Sequence, residues 1–442
     1  MKFYKETNFQ ETQIGKISKE WKIVKLEDSE VTSLIKSGST PAKNRADYWN
    51  GAIPFVTIRD MTKTGKYLYK TESKITEFAI KSSNTFFVPE NSILLSMYGT
   101  VGKVVINKIP IAISQNIAAI IPNRECVDSE FLHYALMHYS FQFKSAKIIT
   151  LKHLDIQMVK NAKIPLPSLE EQRAIAEILS TVDEAIQRTD EIIAKTERLK
   201  KALMNELLTG RIRVREENGK LTLHTETEFQ ETEIGKIPKE WEVVKLEQVV
   251  EINKESIDPI KEIPNETFIY IDIDSIESST GKIRNPKRIL GRSAPSRARR
   301  VIHENDVIMS TVRPYLKAFA IVPKEYNNQI CSTGFAVLTC KNLILPYFLL
   351  NVLFSDNTIA QCNRMMVGGQ YPALNQSQVS RIKIPLPPLQ EQQKIAEILS
   401  TVDKKLEVER NEKAKLERIK QGLMDLLLTG KIRIKVSYDG QF

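Results

Sequence analysis

The stretch GTVGK (residues 99–103) comes closest in this sequence to a loop that could bind the phosphates of a nucleotide. Such a loop needs the pattern G-x-x-x-x-G-K followed by Ser or Thr, and the stretch lacks both that spacing and the final hydroxyl group. A turn between two strands is the better interpretation. The sequence has no glycine-rich cofactor turn, and no grouping of Ser, His and Asp or of paired carboxylates stands out. We therefore predict no catalytic residue in this chain.

The cysteines and histidines do not predict a metal site. His133 and His138 fall in an aromatic-rich stretch, FLHYALMHYSF, where packing explains them better than metal binding. The cysteines show no C-x-x-C spacing, which favours reduced, partly buried thiols. They are Cys126, Cys331, Cys340 and Cys362.

Positive charge is the strongest indication of a partner. The formal net charge is +10, which favours an anionic partner. Residues 282–300, KIRNPKRILGRSAPSRARR, carry eight Lys or Arg and no acid. The interleaved Gly, Pro, Ser and Asn indicate a loop and not an amphipathic membrane helix. A solvated surface loop is the alternative, and nucleic acid is the leading partner.

Nothing in the sequence predicts a membrane partner. The longest apolar run, residues 344–354, is much shorter than the roughly 20 residues that cross a bilayer. The beginning of the sequence, MKFYKETNFQET, is polar and has no signal-peptide core. We expect a cytoplasmic protein.

Three blocks of sequence recur at an offset of 220 residues, which indicates a tandem duplication. Residues 9–28 recur at 229–248, and residues 203–214 recur at 423–434. The strongest repeat is IPLPSLEEQRAIAEILSTVDEAI (164–186) against IPLPPLQEQQKIAEILSTVDKKL (384–406), with 16 of 23 positions identical.

The second and third blocks bracket a long helix in each half. Ser168 and Glu171 have the S-x-x-E spacing of a capping box, and Gly210 and Gly430 are expected to end the helices. A narrow apolar seam with charged flanks predicts that the two helices of about 40 residues pack on each other, antiparallel, like a coiled coil. The seam residues are Ile175, Leu179, Val182, Ile186, Ile193, Leu203 and Leu207 in the first helix, and Ile395, Leu399, Val402, Leu406, Leu416, Leu423 and Leu427 in the second.

The segments between the repeated blocks predict a mixed α/β fold. Runs typical of strands occur at residues 53–58, 92–97, 104–106, 268–273 and 306–311, and runs typical of helices at 130–143 and 346–354. We expect domains at 1–163 and 211–383, long helices at 164–210 and 384–430, and a tail at 431–442. The result is a pseudo-two-fold tandem repeat.

The uneven similarity of the two halves suggests a division of labour. Nearly identical blocks suit two copies of one partner, whereas divergent domains suit two different targets. Two unlike basic domains on twin helices could read a two-part, asymmetric DNA site. Shared ancestry alone could also leave such uneven similarity.

These residues resemble the specificity subunit of type I restriction–modification systems. The resemblance rests on IGKISKEWKIVKL, on SGSTPAKNRADYWNGAIPFVTIRDM (37–61) and on IPLPSLEEQRAIAEIL, and it recurs in the second half with IGKIPKEWEVVKL, GGQYPALN (368–375) and IPLPPLQEQQKIAEIL. It covers almost the whole chain. The second half departs from it, because no equivalent of GSTP…YW is present.

The resemblance implies two target recognition domains on a helical spacer, in a subunit that is not an enzyme. It implies that double-stranded DNA and two modification subunits bind this chain, and that two restriction subunits join them. It also implies that S-adenosylmethionine, ATP and Mg²⁺ belong to those partners, so that this chain binds no cofactor. The missing N/D-P-P-Y/F motif agrees, since amino-methyltransferases carry it.

Basic, aromatic and amide side chains in the divergent segments are the candidates for DNA contact. An exposed surface charge remains the alternative for each of them. The segments TLKHL and QYPAL lie at the 220-residue offset and should form equivalent loops. The candidates are Lys63, Lys66, Tyr98, Lys103, Lys152 and His153 in the first domain, and Arg288, Arg292, Arg297, Arg299, Arg300, Arg313, Tyr315, Gln370 and Tyr371 in the second.

Three other functions were weighed. The chain could be a stand-alone DNA-binding regulator that self-associates through its helices. A structural scaffold is disfavoured by the basic stretch and by the two differing domains, and an enzyme such as a nuclease lacks a motif.

Overall fold

The computed structural model describes residues 1–144, 154–217, 220–366 and 372–435. Its mixed α/β composition is the predicted one. The first half contains β1 (Lys2–Lys5), β2 (Phe9–Thr12), β3 (Gly15–Ser18), β4 (Lys22–Lys25), β5 (Thr32–Ser37), β6 (Trp49–Val56), α1 (Ile58–Lys63), β7 (Tyr67–Leu68), β8 (Ser73–Ile75), α2 (Glu77–Ser82), β9 (Ile93–Ser96), β10 (Val104–Asn107), β11 (Ala112–Ile113), β12 (Ile117–Pro122), α3 (Ser129–His138), α4 (Ile156–Asn161), β13 (Lys163–Leu166) and α5 (Leu169–Leu208).

The second half repeats much of this order. It contains β14 (Ile212–Glu217), β15 (Lys220–Thr225), β16 (Phe229–Thr232), β17 (Gly235–Pro238), β18 (Glu242–Lys245), α6 (Leu246–Val249), β19 (Val250–Ile252), α7 (Pro259–Glu262), β20 (Thr267–Ile271), β21 (Ile276–Glu277), β22 (Lys282–Ile283), β23 (Lys287–Leu290), β24 (Ala298–Ile302), β25 (Val307–Ser310), β26 (Phe319–Ile321), β27 (Gln329–Ser332), β28 (Phe335–Cys340), α8 (Pro346–Phe354), α9 (Asp356–Met365), α10 (Gln376–Ser380), β29 (Lys383–Leu386), α11 (Leu389–Leu428) and β30 (Ile432–Lys435).

Most of the predicted elements are present, but the prediction of a single loop at residues 282–300 was wrong. The five predicted strands overlap β6, β9, β10, β20 and β25, and the helix predicted at 346–354 is α8. The helix predicted at 130–143 stays α-helical only to His138 and then tightens into a 3₁₀ turn. The basic stretch 282–300 is not one loop, because it contains β22 and β23 and enters β24.

Helices α5 and α11 are each 40 residues long. The side chain of Ser168 accepts a hydrogen bond from the Glu171 amide at 3.3 Å, as an N-cap does. The carboxylate of Glu171 turns elsewhere, so only half of the predicted capping box forms. Gly210 and Gly430 follow the helices with φ of 67° and 70°, the left-handed conformation that ends a helix.

The chain forms two compact units. Unit 1 is Met1–Asp190 with Glu412–Phe442, and unit 2 is Glu191–Asn411. Each unit contains one stretch of both long helices, and there the helices run antiparallel, as predicted. In unit 1 the cross-helix ion pairs are Lys420–Asp183 and Lys413–Asp190, both at 2.6 Å, and in unit 2 they are Lys200–Asp403 at 2.6 Å and Arg410–Glu197 at 2.8 Å.

Unit 1 is built on a five-stranded sheet in the order β5-β12-β9-β10-β7, beside a three-stranded sheet β11-β6-β8. The central strands are buried on both faces. Ile93 and Leu95 face the core that contains α3, whereas Leu94 faces a second core with Val56 and Met61. Double burial explains why this strand reads as a continuous apolar run and not as an alternating one.

Unit 2 repeats the design with one change. Its sheets are β19-β28-β25-β26 and β23-β20-β27-β24. Val307 and Met309 face one core and Ile308 the other, as in unit 1. At the position of β24 the described part of unit 1 has only an isolated bridge between Val88 and Ile111. The second unit therefore carries a longer strand where the basic stretch ends.

Strands β1 and β30 form a pair that is equivalent to the hairpin of β14 and β15 in the middle of the chain. Strands β14 and β15 pair with Ile212 opposite Thr225, and β1 pairs with β30 so that Lys5 lies opposite Ile432. Both pairs of residues are related by the 220-residue offset. Unit 1 is therefore closed by strands from the two ends of the chain.

Candidate nucleic-acid interface

The loop between β9 and β10 brings together candidates that are far apart in the sequence. The Leu154 amide donates a hydrogen bond to the Met97 carbonyl at 2.8 Å, so the end of TLKHL is fixed against this loop. Gly99 and Gly102 have φ of 69° and 84°, which lets the loop turn tightly and shows that GTVGK is a strand-connecting turn, as predicted. Tyr98 is 42% exposed in this loop.

The segment MTKTGK contacts the same loop. Lys103 Nζ donates to the Thr64 carbonyl at 2.6 Å, and the hydroxyl groups of Thr62 and Thr100 lie 3.0 Å apart. Lys63 is exposed beside this contact and forms an ion pair with Glu72. Lys63, Tyr98 and Lys103 thus lie close together, and the buried Leu154 fixes the end of TLKHL against the same loop.

Lys66 is placed differently. Its side chain is only 11% exposed and its Nζ contacts Glu130 at 2.5 Å, Ser180 Oγ at 2.8 Å and the Tyr134 hydroxyl at 2.9 Å. Burial lowers the pKa of this lysine, and the Glu130 carboxylate opposes that effect. Lys66 therefore ties the recognition domain to helix α5, and its DNA contact stays a prediction that this placement does not favour.

Unit 2 builds the corresponding loop between β25 and β26. The Leu374 amide donates to the Thr311 carbonyl at 2.9 Å, the counterpart of the Leu154–Met97 bond, and the Arg313 amide donates to the Pro372 carbonyl at 3.1 Å. The ends of TLKHL and QYPAL therefore hold equivalent places. Tyr315 is 43% exposed on this loop. Lys152, His153, Gln370 and Tyr371 lie outside the described residues.

A second pair of lysines shows how far the two units correspond. Thr280-Gly281-Lys282 repeats the TGK of residues 64–66, and Lys282 Nζ forms an ion pair with Glu407 on α11 at 2.5 Å. Lys66 and Lys282 each reach from a recognition domain to a long helix of the same unit. The first was predicted to contact DNA and the second was not singled out, because a three-residue match is too short to detect by sequence alone.

The basic stretch of unit 2 separates into exposed and engaged arginines. Arg288, Arg292 and Arg297 are exposed. Arg299 is engaged by Asp258, with a nitrogen–oxygen distance of 2.7 Å. Arg300 is half-buried in β24. Three arginines of the five candidates here are thus presented to solvent.

The missing GSTP motif has a structural reason. In unit 1 the Ser39 amide donates to the Ile113 carbonyl at 3.2 Å, and a Cβ atom at Gly38 would clash with that same carbonyl. Glycine is therefore required for this close approach. In unit 2 strand β24 occupies the corresponding edge of β27, and the Ile257 amide bonds to the Arg299 carbonyl at 2.9 Å instead.

The repeated blocks build one buried cluster in each unit, which the sequence did not predict. In unit 1 Glu171 accepts hydrogen bonds from Trp21 Nε1 at 3.1 Å and from Arg433 Nε (to the other carboxylate oxygen) at 2.8 Å. In unit 2 Glu391 accepts them from Trp241 Nε1 at 3.0 Å and from Arg213 Nε at 2.7 Å. Identical charged and Trp residues at the 220-residue offset were the available signal.

The predicted seam residues are buried or half-buried, and none is exposed. Two tyrosines support the seam from the domains. Tyr134 donates to Asp183 and Tyr347 donates to Asp403, each at 2.6 Å, and burial raises the pKa of both phenols. The fully buried members are Ile175, Leu179, Leu207, Ile395, Leu399, Leu406 and Leu427.

Across the described ranges no group of three or more His, Cys, Asp or Glu residues could hold a metal ion. All four cysteines are free thiols. Within the part of the chain that the structure describes, no helix is long and apolar enough to cross a membrane.

Comparison with known proteins gives a consistent result. The profile of the type I restriction modification DNA specificity domain matches residues 18–198 and 238–418. The type I restriction enzyme MjaVIII specificity subunit of Methanocaldococcus jannaschii is 29% identical over 448 residues, with 98% of each chain covered.

Solved structures share the fold. A chain from a structure of the type I R-M system has a TM-score of 0.55 at 18% identity, with 94% of this chain and 99% of that chain covered. The type I restriction-modification S subunit from M. genitalium has a TM-score of 0.53 at 17% identity, with 95% and 97% covered.

Proposed function

This chain belongs to the type I restriction–modification DNA specificity family, and from that premise we propose that it reads a bipartite, asymmetric site in double-stranded DNA. One recognition domain in each unit would contact one half of the site. The chain itself would be non-catalytic, and the complex that it directs would methylate adenine and cleave DNA in the cytoplasm.

One observation carries the proposal. The two units hold a loop of the same construction in the same place, fixed by the Leu154–Met97 and Leu374–Thr311 hydrogen bonds, yet the loops differ in sequence. Tyr98 and Lys103 stand in one, and Arg313 and Tyr315 in the other. Because base edges are read by side chains, two unlike loops on one scaffold suit two unlike half-sites.

Features that the two units share support the binding of two copies of one partner. A groove beside the long helices occurs in both units, with a volume of about 770 Å³ in unit 2 and about 450 Å³ in unit 1. Equivalent positions line both grooves: Lys200, Met204, Asp403 and Leu406 in unit 2, and Lys420, Met424, Asp183 and Ile186 in unit 1. We infer that two modification subunits dock there and that two restriction subunits join the assembly.

The cofactors of the reaction would belong to those partners. S-adenosylmethionine would be held by the modification subunits, and ATP with Mg²⁺ by the restriction subunits. The residues of this chain would then contribute positioning and DNA recognition alone.

The test is to co-express the chain with the methyltransferase encoded beside it in the same genome. We expect a complex with two modification subunits per chain and methylated adenines, mapped by single-molecule sequencing, in a motif of two unlike parts separated by a spacer. A host lacking this chain but keeping the methyltransferase serves as the control and should show no methylation at the motif. A saturated 1:1 complex, or a continuous palindromic motif, would contradict the proposal.

A further inference from the structure

Arg300 is a half-buried arginine that has no charged partner among the described residues. It lies in β24 opposite Cys331 of β27, and on its other side it bridges to Ser256, so its backbone is enclosed within the sheet. Its guanidinium Nη1 is fully buried and has no hydrogen-bond acceptor among the described residues, whereas the residue as a whole is only half-buried and stays partly accessible from outside. A buried donor without an acceptor costs stability, and the cost is larger for a charged group.

Two enclosed arginines of the long-helix clusters, by contrast, are surrounded by carboxylates. Arg213 contacts Glu391 at 2.7 Å, Glu226 at 2.7 Å and Glu240 at 3.0 Å, and the equivalent Arg433 has a matching set. These carboxylates raise the pKa of Arg213. Burial lowers the pKa of Arg300 instead, and no ion pair joins it to a described carboxylate.

Cys331 cannot serve as the missing counter-ion. Burial raises the pKa of this thiol to about 12, so at neutral pH it is uncharged. The guanidinium of Arg300 remains protonated at any ordinary pH. Within the described chain its positive charge is therefore uncompensated.

We propose that Arg300 is a binding residue for a phosphate group of the DNA backbone, in the second recognition domain. This inference rests on the proposed function. A phosphate supplies a full negative charge and oxygen acceptors, whereas a base edge offers a neutral acceptor that would leave the charge unbalanced. Arg288, Arg292 and Arg297, exposed in the same basic stretch, add attraction, but Arg300 is the member of this stretch that combines a buried guanidinium nitrogen with the absence of a described hydrogen-bond partner.

Arg300→Met tests the proposal through two opposite effects. Without DNA, removing the unbalanced charge should raise the thermal midpoint of unfolding by about 2–4 °C. With DNA, affinity for a duplex carrying the mapped site should fall roughly ten- to hundredfold, and the slope of log affinity against log salt should shrink by about 0.9. Arg381→Met removes the same charge from an exposed position of unit 2 and should leave affinity unchanged within twofold.

Neutral phosphate analogues identify the ligand. Single methylphosphonates placed along the second half-site should weaken binding of the wild type at one position, and the Arg300→Met variant should be insensitive there. Sensitivity that persists in the variant, or loss of discrimination at one base pair with an unchanged salt slope, would overturn the phosphate assignment. If the methionine variant does not fold, Arg300→Lys should keep the salt slope and still lose affinity, because lysine lacks the planar fork. A wild-type chain that binds no DNA would instead refute the proposed function itself.

Discussion

Arg433 donates two hydrogen bonds to Glu171, from Nε at 2.8 Å and from Nη2 at 2.9 Å, although the two residues are 262 positions apart. Arg433 follows the second long helix and Glu171 lies in the first turn of the other one. Arg213 and Glu391 make the same fork in unit 2, at 2.7 and 2.8 Å. Arg433 thus belongs to the second half of the duplication but closes unit 1, and Arg213 belongs to the first half but closes unit 2.

Removing Arg433 should destabilise unit 1. Arg433→Met would leave the carboxylates of Glu6 and Glu171 buried without their cation, a change that typically costs about 3–5 kcal/mol of unfolding free energy. Hydrogen–deuterium exchange should accelerate in β1 and β30 while unit 2 is unaffected. Lys431→Met is the matched control, since its ion pair with Asp425 is exposed and contributes about 0–1 kcal/mol. If Arg433→Met lost no more unfolding free energy than Lys431→Met, the proposed role of Arg433 with Glu6 and Glu171 would be contradicted.

Glu6 should make unit 1 sensitive to acid. The Asn8 amide, followed by Ser18, Thr7 and Arg433, lowers the pKa of this carboxyl from 4.5 to about 2. Because the folded pKa lies below the unfolded one, the stabilisation is complete above about pH 4.5 and disappears as the pH falls towards 2. The stability difference between wild type and Glu6→Gln should therefore shrink across this window, as urea titrations at several pH values would show.

Glu226 provides the internal comparison. It is the counterpart of Glu6 in unit 2, and the Glu228 amide is the main group that lowers its pKa. The stability difference between wild type and Glu226→Gln should likewise shrink as the pH falls, because the folded pKa of Glu226 also lies below the unfolded one. A stability difference that stays constant from neutral pH down to about pH 3 in either variant would argue against this origin of acid sensitivity.

The repeats and the long helices were predictable because their signals are periodic and local. Apolar spacing of three and four residues indicated α5 and α11, and the C′ glycines Gly210 and Gly430 are required by a left-handed conformation that other residues adopt with strain. The sequence also indicated runs typical of strands, and these overlap β6, β9, β10, β20 and β25. These features depend on neighbouring residues alone.

The clusters around Glu171 and Glu391, and the surface that contains the candidates for DNA contact, are formed by segments that lie far apart in the sequence. Lys66 looked like a surface lysine in MTKTGK, and only the packing of the domain against Ser180 and Glu130 shows that it is enclosed. The Gly and Pro that interrupt the basic stretch predict a loop, yet pairing with β20 and β27 makes strands of its parts. Tertiary pairing outweighs local propensity here.

The pairing of β1 with β30 predicts that the chain can be permuted. A variant that begins at Lys220, ends at Glu217 and joins Lys435 to Lys2 through a two-residue linker would exchange the two equivalent hairpins. We expect its thermal midpoint to lie within about 4 °C of the wild type, because the register of strand pairs is preserved in both units. A permutant cut between Val105 and Ile106 in the buried strand β10 is the control and should not fold. Equal behaviour of the two permutants would contradict the equivalence of the hairpins.

The exposed tyrosines of the two loops predict separable effects on DNA binding. If each unit reads one half-site, as proposed, Tyr98→Ala should weaken binding only when the half-site of unit 1 is intact, and Tyr315→Ala only when the other half-site is, each roughly tenfold, as for a mismatched base pair. Duplexes with one half-site scrambled would separate the two contributions. Tyr69→Ala is the control. Tyr69 is 64% exposed, but it follows β7, which pairs with the last residues of β10, whereas the loop precedes the first residue of β10. If either loop variant lowered the affinity for both half-sites equally, the assignment of one half-site to each unit would fail. The two loops would then act through a shared property such as overall stability.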